Sequence, residues 1–280
     1  MSVGDRRDRG WEPPDGVGDV SYMLPRNESE IDRLDVQHYA LREAVRGNHL
    51  APVGRPPAIL DVGSGTGQWA YDLCAEFPDA AVVGLDLVPG KAASRPANYR
   101  FVRANALHSL PFADGTFDYV HQRLMVTALP VPMWPAEVTE LLRVTRPGGW
   151  VELVEGGDQI EPKGPATGRL FELAAQLAAS YGLDTSRSVC GLLDTYLRDA
   201  GAEAVESHEV PVPIGEWGGR VGSLMASDFR STFGGLCGTF ESRFGLPAAI
   251  CHELVRAMQE ECEGFRTRYT FTFAFGRKAA

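Results

Sequence analysis

The chain has 280 residues, of which 44% are hydrophobic and 23% charged, and its formal net charge is −10. This composition is typical of a globular enzyme, and the acidic balance disfavours a nucleic-acid partner because no broad basic surface is available to release counterions. No apolar run is long enough to span a bilayer, and the N-terminus lacks the apolar core of a signal peptide, so we expect a cytoplasmic protein without membrane contact.

Two segments precede the main domain. Residues 1–21 are expected to form a flexible arm, because they cannot bury enough apolar surface to offset the entropy lost on ordering. Residues 22–57 form a second segment, in which a helix is predicted after Asn27, with Glu30 three residues on as in a capping box. Apolar residues recur on one face of this helix, at Ile31, Leu34, Leu41 and Val45.

From residue 58 onward, short apolar runs alternate with amphipathic segments. Strands are predicted at residues 58–60, 81–85, 99–102, 117–120 and 150–154, and helices at 68–77, 135–144, 168–180 and 189–200. A strand at 204–214 and an edge strand at 269–275, paired with each other, complete a seven-stranded sheet. Strands joined by helical crossovers predict an α/β domain, residues 58–280, with a doubly wound, Rossmann-like sheet.

The insertion, residues 215–267, lies between the last two predicted strands and is expected to form two helices. Its aromatic side chains either form a helix core or line a lid over a ligand pocket, since a long connection at this position is often functional. The candidates for ligand contact are Trp217, Met225, Phe229 and Phe233, which include spacings of four residues.

The five cysteines are odd in number, and no pair has CxxC spacing. This pattern argues against a disulfide framework and against a structural metal site. We therefore expect free thiols in a reducing compartment, at Cys74, Cys190, Cys237, Cys251 and Cys262.

The sharpest motif is the turn 61–67, with the sequence Asp-Val-Gly-Ser-Gly-Thr-Gly, between the first predicted strand and the following helix. Its three glycines permit a tight turn and let a ligand approach the backbone, and free amides at the helix N-terminus point toward that ligand. Asp86 ends the next predicted strand, where a carboxylate can accept hydrogen bonds from both hydroxyls of a ribose.

The same turn argues against a dinucleotide or a nucleoside triphosphate. Its third glycine comes one residue earlier than in the GxGxxG fingerprint, and no Gly-Lys-Ser or Gly-Lys-Thr follows as in a P-loop. Asp61 would repel a pyrophosphate, whereas it suits the neighbourhood of a cationic amino group or a sulfonium. A cationic nucleoside cofactor is therefore favoured.

Residues 61–67 and Asp86 resemble motifs I and II of the class I S-adenosylmethionine-dependent methyltransferases. Residues 104–106 resemble the family's adenine-contacting loop, with Asn105 where an aspartate is common, and residues 146–150 resemble its turn into the fifth strand. The resemblance implies S-adenosyl-L-methionine as cofactor and S-adenosyl-L-homocysteine as product. The cofactor contacts that it implies are Asp61, Gly63, Ser64, Gly65, Gly67, Asp86, Leu87, Asn105 and Ala106.

The segment 22–57 also resembles the N-terminal part of the LaeA-like branch of this family. By that resemblance the segment covers the cofactor, and Tyr22, Arg33, Gln37 and His38 line the cofactor's mouth. Arg33 is a candidate partner for the methionine carboxylate. The alternative is a surface helix whose Arg and Gln side chains are solvated.

Two titratable residues follow predicted strands at their carboxyl ends, where open parallel sheets bind ligands. His121 faces the acceptor pocket or caps a strand end. Glu155 orients an acceptor, takes its proton, or is a solvated loop residue. Methyl transfer requires in-line attack on an activated sulfonium, so positioning can suffice and no catalytic residue is assigned.

The family resemblance favours an enzyme that methylates a small-molecule acceptor in secondary metabolism. Two alternatives stay open: a regulatory protein with the same fold that acts through a protein partner, and an S-adenosylmethionine-binding cyclase. Both a monomer and a homodimer are compatible with the sequence. Turnover without consumption of the cofactor would favour the cyclase, and tight binding to a protein partner without turnover of a small acceptor would favour the regulatory protein.

Overall fold

The computed structural model describes residues 28–90 and 95–280, and its strands join in one seven-stranded sheet. The strands are β1 (Ala58–Val62), β2 (Ala81–Asp86), β3 (Tyr99–Arg103), β4 (Phe117–Arg123), β5 (Thr145–Glu161), β6 (Ala202–Pro213) and β7 (Arg268–Lys278). The helices are α1 (Glu28–Val45), α2 (Gln68–Glu76), α3 (Trp134–Val144), α4 (Pro165–Ala179), α5 (Arg187–Cys190), α6 (Leu193–Asp199), α7 (Gly219–Phe244) and α8 (Ala248–Phe265). The predicted α/β class and the seven-stranded sheet are confirmed.

Strand order across the sheet is β3-β2-β1-β4-β5-β7-β6. The strands β1 to β5 pair in parallel, and β7 pairs antiparallel with both β5 and β6. The last strand was predicted at the edge of the sheet, and this is wrong: β7 is internal and β6 forms the edge. Residues 271–276 of β7 are all buried, because an internal strand is covered on both faces.

Helices cover both faces of the sheet. The residues Val62, Val120 and Leu153 pack against α3 and α6 on one face, and Ile59, Val82 and Tyr119 pack against α2 on the other. The helix predicted at 189–200 is interrupted at a turn between α5 and α6 that contains Gly191, a residue that is costly inside a helix. Across the described ranges, none of the helices has both the length and the apolar character that crossing a membrane requires.

The insertion forms two helices, as predicted. The helices α7 and α8 pack with α4 around a core that includes Leu173, Met225, Phe233 and Met258. The helix α1 packs along α7. The insertion therefore joins the N-terminal helix to the part of the sheet that contains β7 and the carboxyl end of β5.

The expectation of five free thiols is wrong for one pair. Cys237 of α7 and Cys251 of α8 form a disulfide, with their Cα atoms 5.5 Å apart. The two helices form a hairpin, which brings together residues whose 14-residue separation matches no motif. The other three cysteines form no disulfide and are buried, as predicted, and these are Cys74, Cys190 and Cys262.

Candidate cofactor site

The glycine turn lies at the carboxyl end of β1 and leads into α2. Gly63, Gly65 and Gly67 have φ angles of 70°, 52° and 83°, in the left-handed region that favours glycine. The amides of Gly63 and Ser64 donate to the carbonyl oxygen of Leu85 at 2.8 and 3.0 Å. The turn is therefore held against the end of β2.

Asp86 joins the glycine turn to the segment after β2. Its carboxylate accepts hydrogen bonds from the Gly65 amide at 2.9 Å and from the Val88 amide at 3.2 Å. Leu87 is half-buried beside it. The predicted motif I and motif II residues are thus brought together at the carboxyl ends of β1 and β2.

The loop after β3 is fixed by its own asparagine. The Asn105 side-chain oxygen accepts a hydrogen bond from the Leu107 amide at 2.9 Å, which is an Asx turn. Ala106 is buried next to it. An amide oxygen has two lone pairs, so the Asn105 oxygen keeps one lone pair for a hydrogen bond from an adenine amino group. That hydrogen bond stays a prediction.

Asp61 is buried at the end of β1 and pairs with a histidine of β4. Its carboxylate lies 3.0 Å from Nδ1 of His121, and both residues are at most 2% exposed. Burial lowers the pKa of His121 to about 4, so the ring is neutral near pH 7 and Nδ1–H donates to the carboxylate. The proposal that His121 caps a strand end is wrong, because its side chain lies inside the structure.

Arg33 of α1 lies between two carboxylates. Its Nε and Nη2 donate to Glu30 at 2.7 Å each, and its Nη1 donates to Asp228 of α7 at 2.5 Å. Gln37 donates to the other oxygen of Asp228 at 3.2 Å. Arg33 is thus a buried bridge between two helices and not a solvated residue, and this geometry weighs against the predicted role toward the cofactor's carboxylate. Tyr22, which belongs to the same prediction, lies outside the described residues.

A polar chain connects α1, α2 and β4, and it includes His38, the fourth residue predicted at the cofactor's mouth. Arg123 donates to Nδ1 of His38 at 3.2 Å, and Nε2 of His38 donates to Asp72 at 3.0 Å. Arg42 also donates to Asp72, at 2.6 Å. Burial lowers the pKa of His38, which suits a neutral ring that accepts at one nitrogen and donates at the other.

Glu155 lies within β5 and is fully buried, so its interpretation as a solvated loop residue is wrong. Its two carboxyl oxygens accept from the amides of Met125 at 2.8 Å and Val126 at 3.2 Å. Burial raises its pKa to about 8. The sulfur of Met125 would lie 2.6 Å from a Cβ added at Gly63, so Glu155 fixes a turn that contacts the glycine motif.

The predicted acceptor residues of the insertion divide into two groups. Met225, Phe229 and Phe233 are buried on α7. Trp217 lies in a short turn before α7, where its indole nitrogen donates to the Ile214 carbonyl at 2.9 Å. Trp217 therefore does not share a helical face with the other three.

Tyr269 of β7 contacts Phe229, a predicted acceptor residue, but was not itself predicted as a site residue. Its ring centroid lies 5.1 Å from that of Phe229 and 6.3 Å from that of Phe171. A Cβ added at Gly156, next to Glu155, would lie 2.6 Å from the Tyr269 hydroxyl. The rings of Tyr269 and Phe171 are half-buried and therefore partly accessible. Together with Phe229 they form an aromatic wall (Phe171, Phe229 and Tyr269) at the carboxyl end of β5.

Known methyltransferases share sequence and fold with this chain. A model of a methyltransferase domain matches residues 59–149. The chain is 31% identical over 224 residues to the methyltransferase str3 of Strobilurus tenacellus, covering 76% of this chain and 79% of str3. It is 33% identical over 206 residues to the secondary metabolism regulator laeA of Aspergillus flavus, covering 70% of this chain and 54% of the regulator.

Among solved structures, the chain is similar to phosphoethanolamine N-methyltransferase 2 of Haemonchus contortus in complex with S-adenosyl-L-methionine. The TM-score is 0.51 and the sequence identity 16%, and the match covers 89% of this chain and 52% of the other. At this identity the likeness concerns the fold.

Proposed function

Because the chain belongs to the class I S-adenosylmethionine-dependent methyltransferases, we propose that it methylates a small-molecule acceptor of secondary metabolism. The observation that carries this proposal is the hydrogen bond of 2.9 Å from the Gly65 amide to Asp86. This hydrogen bond joins the glycine backbone to a carboxylate at the carboxyl ends of the parallel strands, where ligands of such folds bind. The likeness to str3, which is named a methyltransferase, supports methyl transfer, and the likeness to laeA, which is named a secondary metabolism regulator, supports only the link to secondary metabolism.

The residues present suit the cofactor. The left-handed glycines carry no side chains of their own along the turn. Asp86 is proposed to bind the ribose, and Asp61 the cationic amino group. Leu34 of α1 comes within 3.7 Å of a Cβ position at Gly65, which supports the proposal that residues 22–57 cover the cofactor. When bound, S-adenosylmethionine supplies a methyl group already activated by the sulfonium, so this chain has to bind, orient and exclude water.

We place the acceptor between the aromatic wall and the turn that Glu155 fixes. The wall supplies apolar contact, and the Tyr269 hydroxyl supplies a hydrogen-bond donor, because burial raises the pKa of this phenol well above its usual value. Glu155 is mainly a neutral acid at pH 7 and both its oxygens already accept amides. Its proposed role is therefore to orient the turn beside the acceptor.

Asp86→Ala is expected to weaken S-adenosylhomocysteine binding by roughly 1.5–3 kcal/mol, the range for hydrogen bonds to a charged group. Titration calorimetry on the folded variant measures this change. Asp79→Ala is the matched control, since Asp79 is exposed before the opposite end of the same strand. Equal affinity of the Asp86 variant and the wild type would remove the ribose assignment.

Phe229→Ala is expected to lower turnover or to change acceptor preference, while S-adenosylhomocysteine affinity stays within about twofold. The reason is that Phe229 belongs to the aromatic wall, whereas the cofactor residues belong to the sheet. Radiolabelled methyl transfer to a panel of small phenols, amines and carboxylic acids measures the preference. Phe233→Ala, one helical turn along α7, is expected to act in the same direction.

Phe240→Ala is the control for packing, because Phe240 is fully buried on α7 and contacts Phe244 instead of the wall. It is expected to lose roughly 3–5 kcal/mol of stability, as core Phe→Ala changes do, without a change in preference. If Phe229→Ala loses stability alone, the aromatic wall only packs the insertion against the sheet.

A regulatory role is the second candidate, and the likeness to laeA favours it. A regulator with this fold binds the cofactor and acts through a protein partner. Incubation with S-adenosylmethionine and the acceptor panel separates the two: an enzyme accumulates S-adenosylhomocysteine, whereas a regulator or a cyclase leaves the cofactor intact.

A further inference from the structure

His121 and Asp61 are neighbours across two parallel strands. They occupy partner positions in the pairing of β1 with β4, and His121 Nδ1 lies 3.0 Å from the Asp61 carboxylate. Their side chains are 1% and 3% exposed. Asp61 lies two residues before Gly63, the first glycine of the turn, so a rotation of its carboxylate changes the polar surface next to that glycine.

The ring of His121 is held in one orientation. It stacks on Trp69 with centroids 3.8 Å apart and ring planes 8° from parallel. Trp69 is itself fixed, because its indole nitrogen donates to the Asn48 carbonyl at 2.8 Å. The direction of the Nδ1–H bond is therefore set by α2 and by the segment before β1, not by the carboxylate alone.

The charge state of this pair suits a cationic ligand. The neutral ring donates a hydrogen bond to the Asp61 carboxylate without cancelling its charge. A protonated imidazole at 3.0 Å would reduce the attraction of that carboxylate for an ammonium group, since opposite charges at this distance neutralise each other. Burial of the ring is the largest cause of its low pKa, and the nearby guanidinium of Arg123 acts in the same direction.

We propose that His121 is a positioning residue, which fixes the Asp61 carboxylate by the Nδ1–H hydrogen bond so that Asp61 receives the amino group of the cofactor. This inference rests on the proposed function, since it assigns the amino-acid end of S-adenosylmethionine to Asp61. It explains why a histidine is placed inside the sheet: an apolar residue of similar size would fill the space beside Trp69 but would leave the carboxylate free to turn.

The test compares two ligands that differ at the amino-acid end. S-adenosylhomocysteine carries the amino group, and 5′-methylthioadenosine lacks it but keeps the adenosyl part. His121→Phe keeps an aromatic ring against Trp69 and removes the donor. We expect it to bind S-adenosylhomocysteine at least about tenfold more weakly, as for a lost hydrogen bond to a charged group, and 5′-methylthioadenosine within about twofold of the wild type.

Two further variants separate positioning from packing. His121→Asn retains an N–H near the position of Nδ1, and we expect it to recover most of the affinity for S-adenosylhomocysteine. His121→Gln places its amide farther out and is expected to recover less. In the background of Asp61→Asn, His121→Phe is expected to have little further effect, because interacting residues are not additive. Thermal melting of each variant confirms that it is folded, and His121→Asn and His121→Gln serve if His121→Phe is not.

The outcomes are distinct. Equal weakening of both ligands by the His121 variants would show that His121 only supports the fold, and unchanged binding of both would remove its role. Selective loss of S-adenosylhomocysteine in Asp61→Asn but not in any His121 variant would overturn this inference and leave the cofactor site in place. Failure of the wild type to bind either ligand would overturn the proposed function itself.

Discussion

Gly65→Val is expected to weaken S-adenosylhomocysteine binding by more than about a hundredfold, which is over roughly 2.7 kcal/mol. Gly65 has a φ angle of +52°, which costs a branched residue about 1–2 kcal/mol. A valine side chain would also fill the space where the ligand approaches the backbone. Titration calorimetry measures the affinity, and circular dichroism verifies that the variant is folded.

Gly201→Val is the matched control for backbone strain. Gly201 has a φ angle of +94°, and a Cβ added there meets nothing within 4 Å. It precedes β6 at the end of the sheet opposite the glycine turn, where Ala202 pairs with Lys278. This variant is expected to lose stability and keep its cofactor affinity. Normal binding by the folded Gly65 variant would mean that the glycine turn is not the site.

Arg33→Ala is expected to lower the free energy of unfolding by about 3–5 kcal/mol. Arg33 is 5% exposed and pairs with Glu30 and Asp228, so its removal leaves the buried Asp228 carboxylate without this cation and takes two hydrogen bonds from Glu30. Asp228→Ala is expected to cost less, because Arg33 keeps both hydrogen bonds to Glu30. Denaturant unfolding followed by circular dichroism measures both changes.

Arg42→Ala on the same helix is the matched control. The Arg42 side chain is 47% exposed in its pair with Asp72, and pairs of this kind contribute about 0–1 kcal/mol. If the Arg33 variant lost no more stability than the Arg42 variant, Arg33 would not be the buried bridge between α1 and α7.

The parts of the site predicted from the sequence are those that short segments encode. The glycine turn and Asp86 belong to one strand-helix-strand unit, so their spacing along the chain implies their spacing in the fold. The same holds for the strands, whose apolar runs were each found at the predicted place. Local backbone requirements and hydrophobic periodicity are properties that a sequence window contains.

The contacts and burial that were not predicted from the sequence depend on segments that are distant along the chain. Arg33 meets Asp228 across 195 positions, and His121 meets Asp61 across 60. The interior position of β7 depends on which strands flank it, and its alternating aromatic and small residues do not show that both faces are covered. Glu155 is buried because the turn after β4 folds over it, which nothing in the sequence near Glu155 indicates.

The crystal structure of this chain grown with S-adenosylhomocysteine tests the central claim most directly. We predict the ribose hydroxyls on the Asp86 carboxylate, the adenine beside Asn105 and Ala106, the amino group at Asp61, and backbone contact at Gly63 and Gly65. An adenosyl group bound away from the glycine turn, or crystals that exclude the ligand while calorimetry detects no binding, would contradict the account.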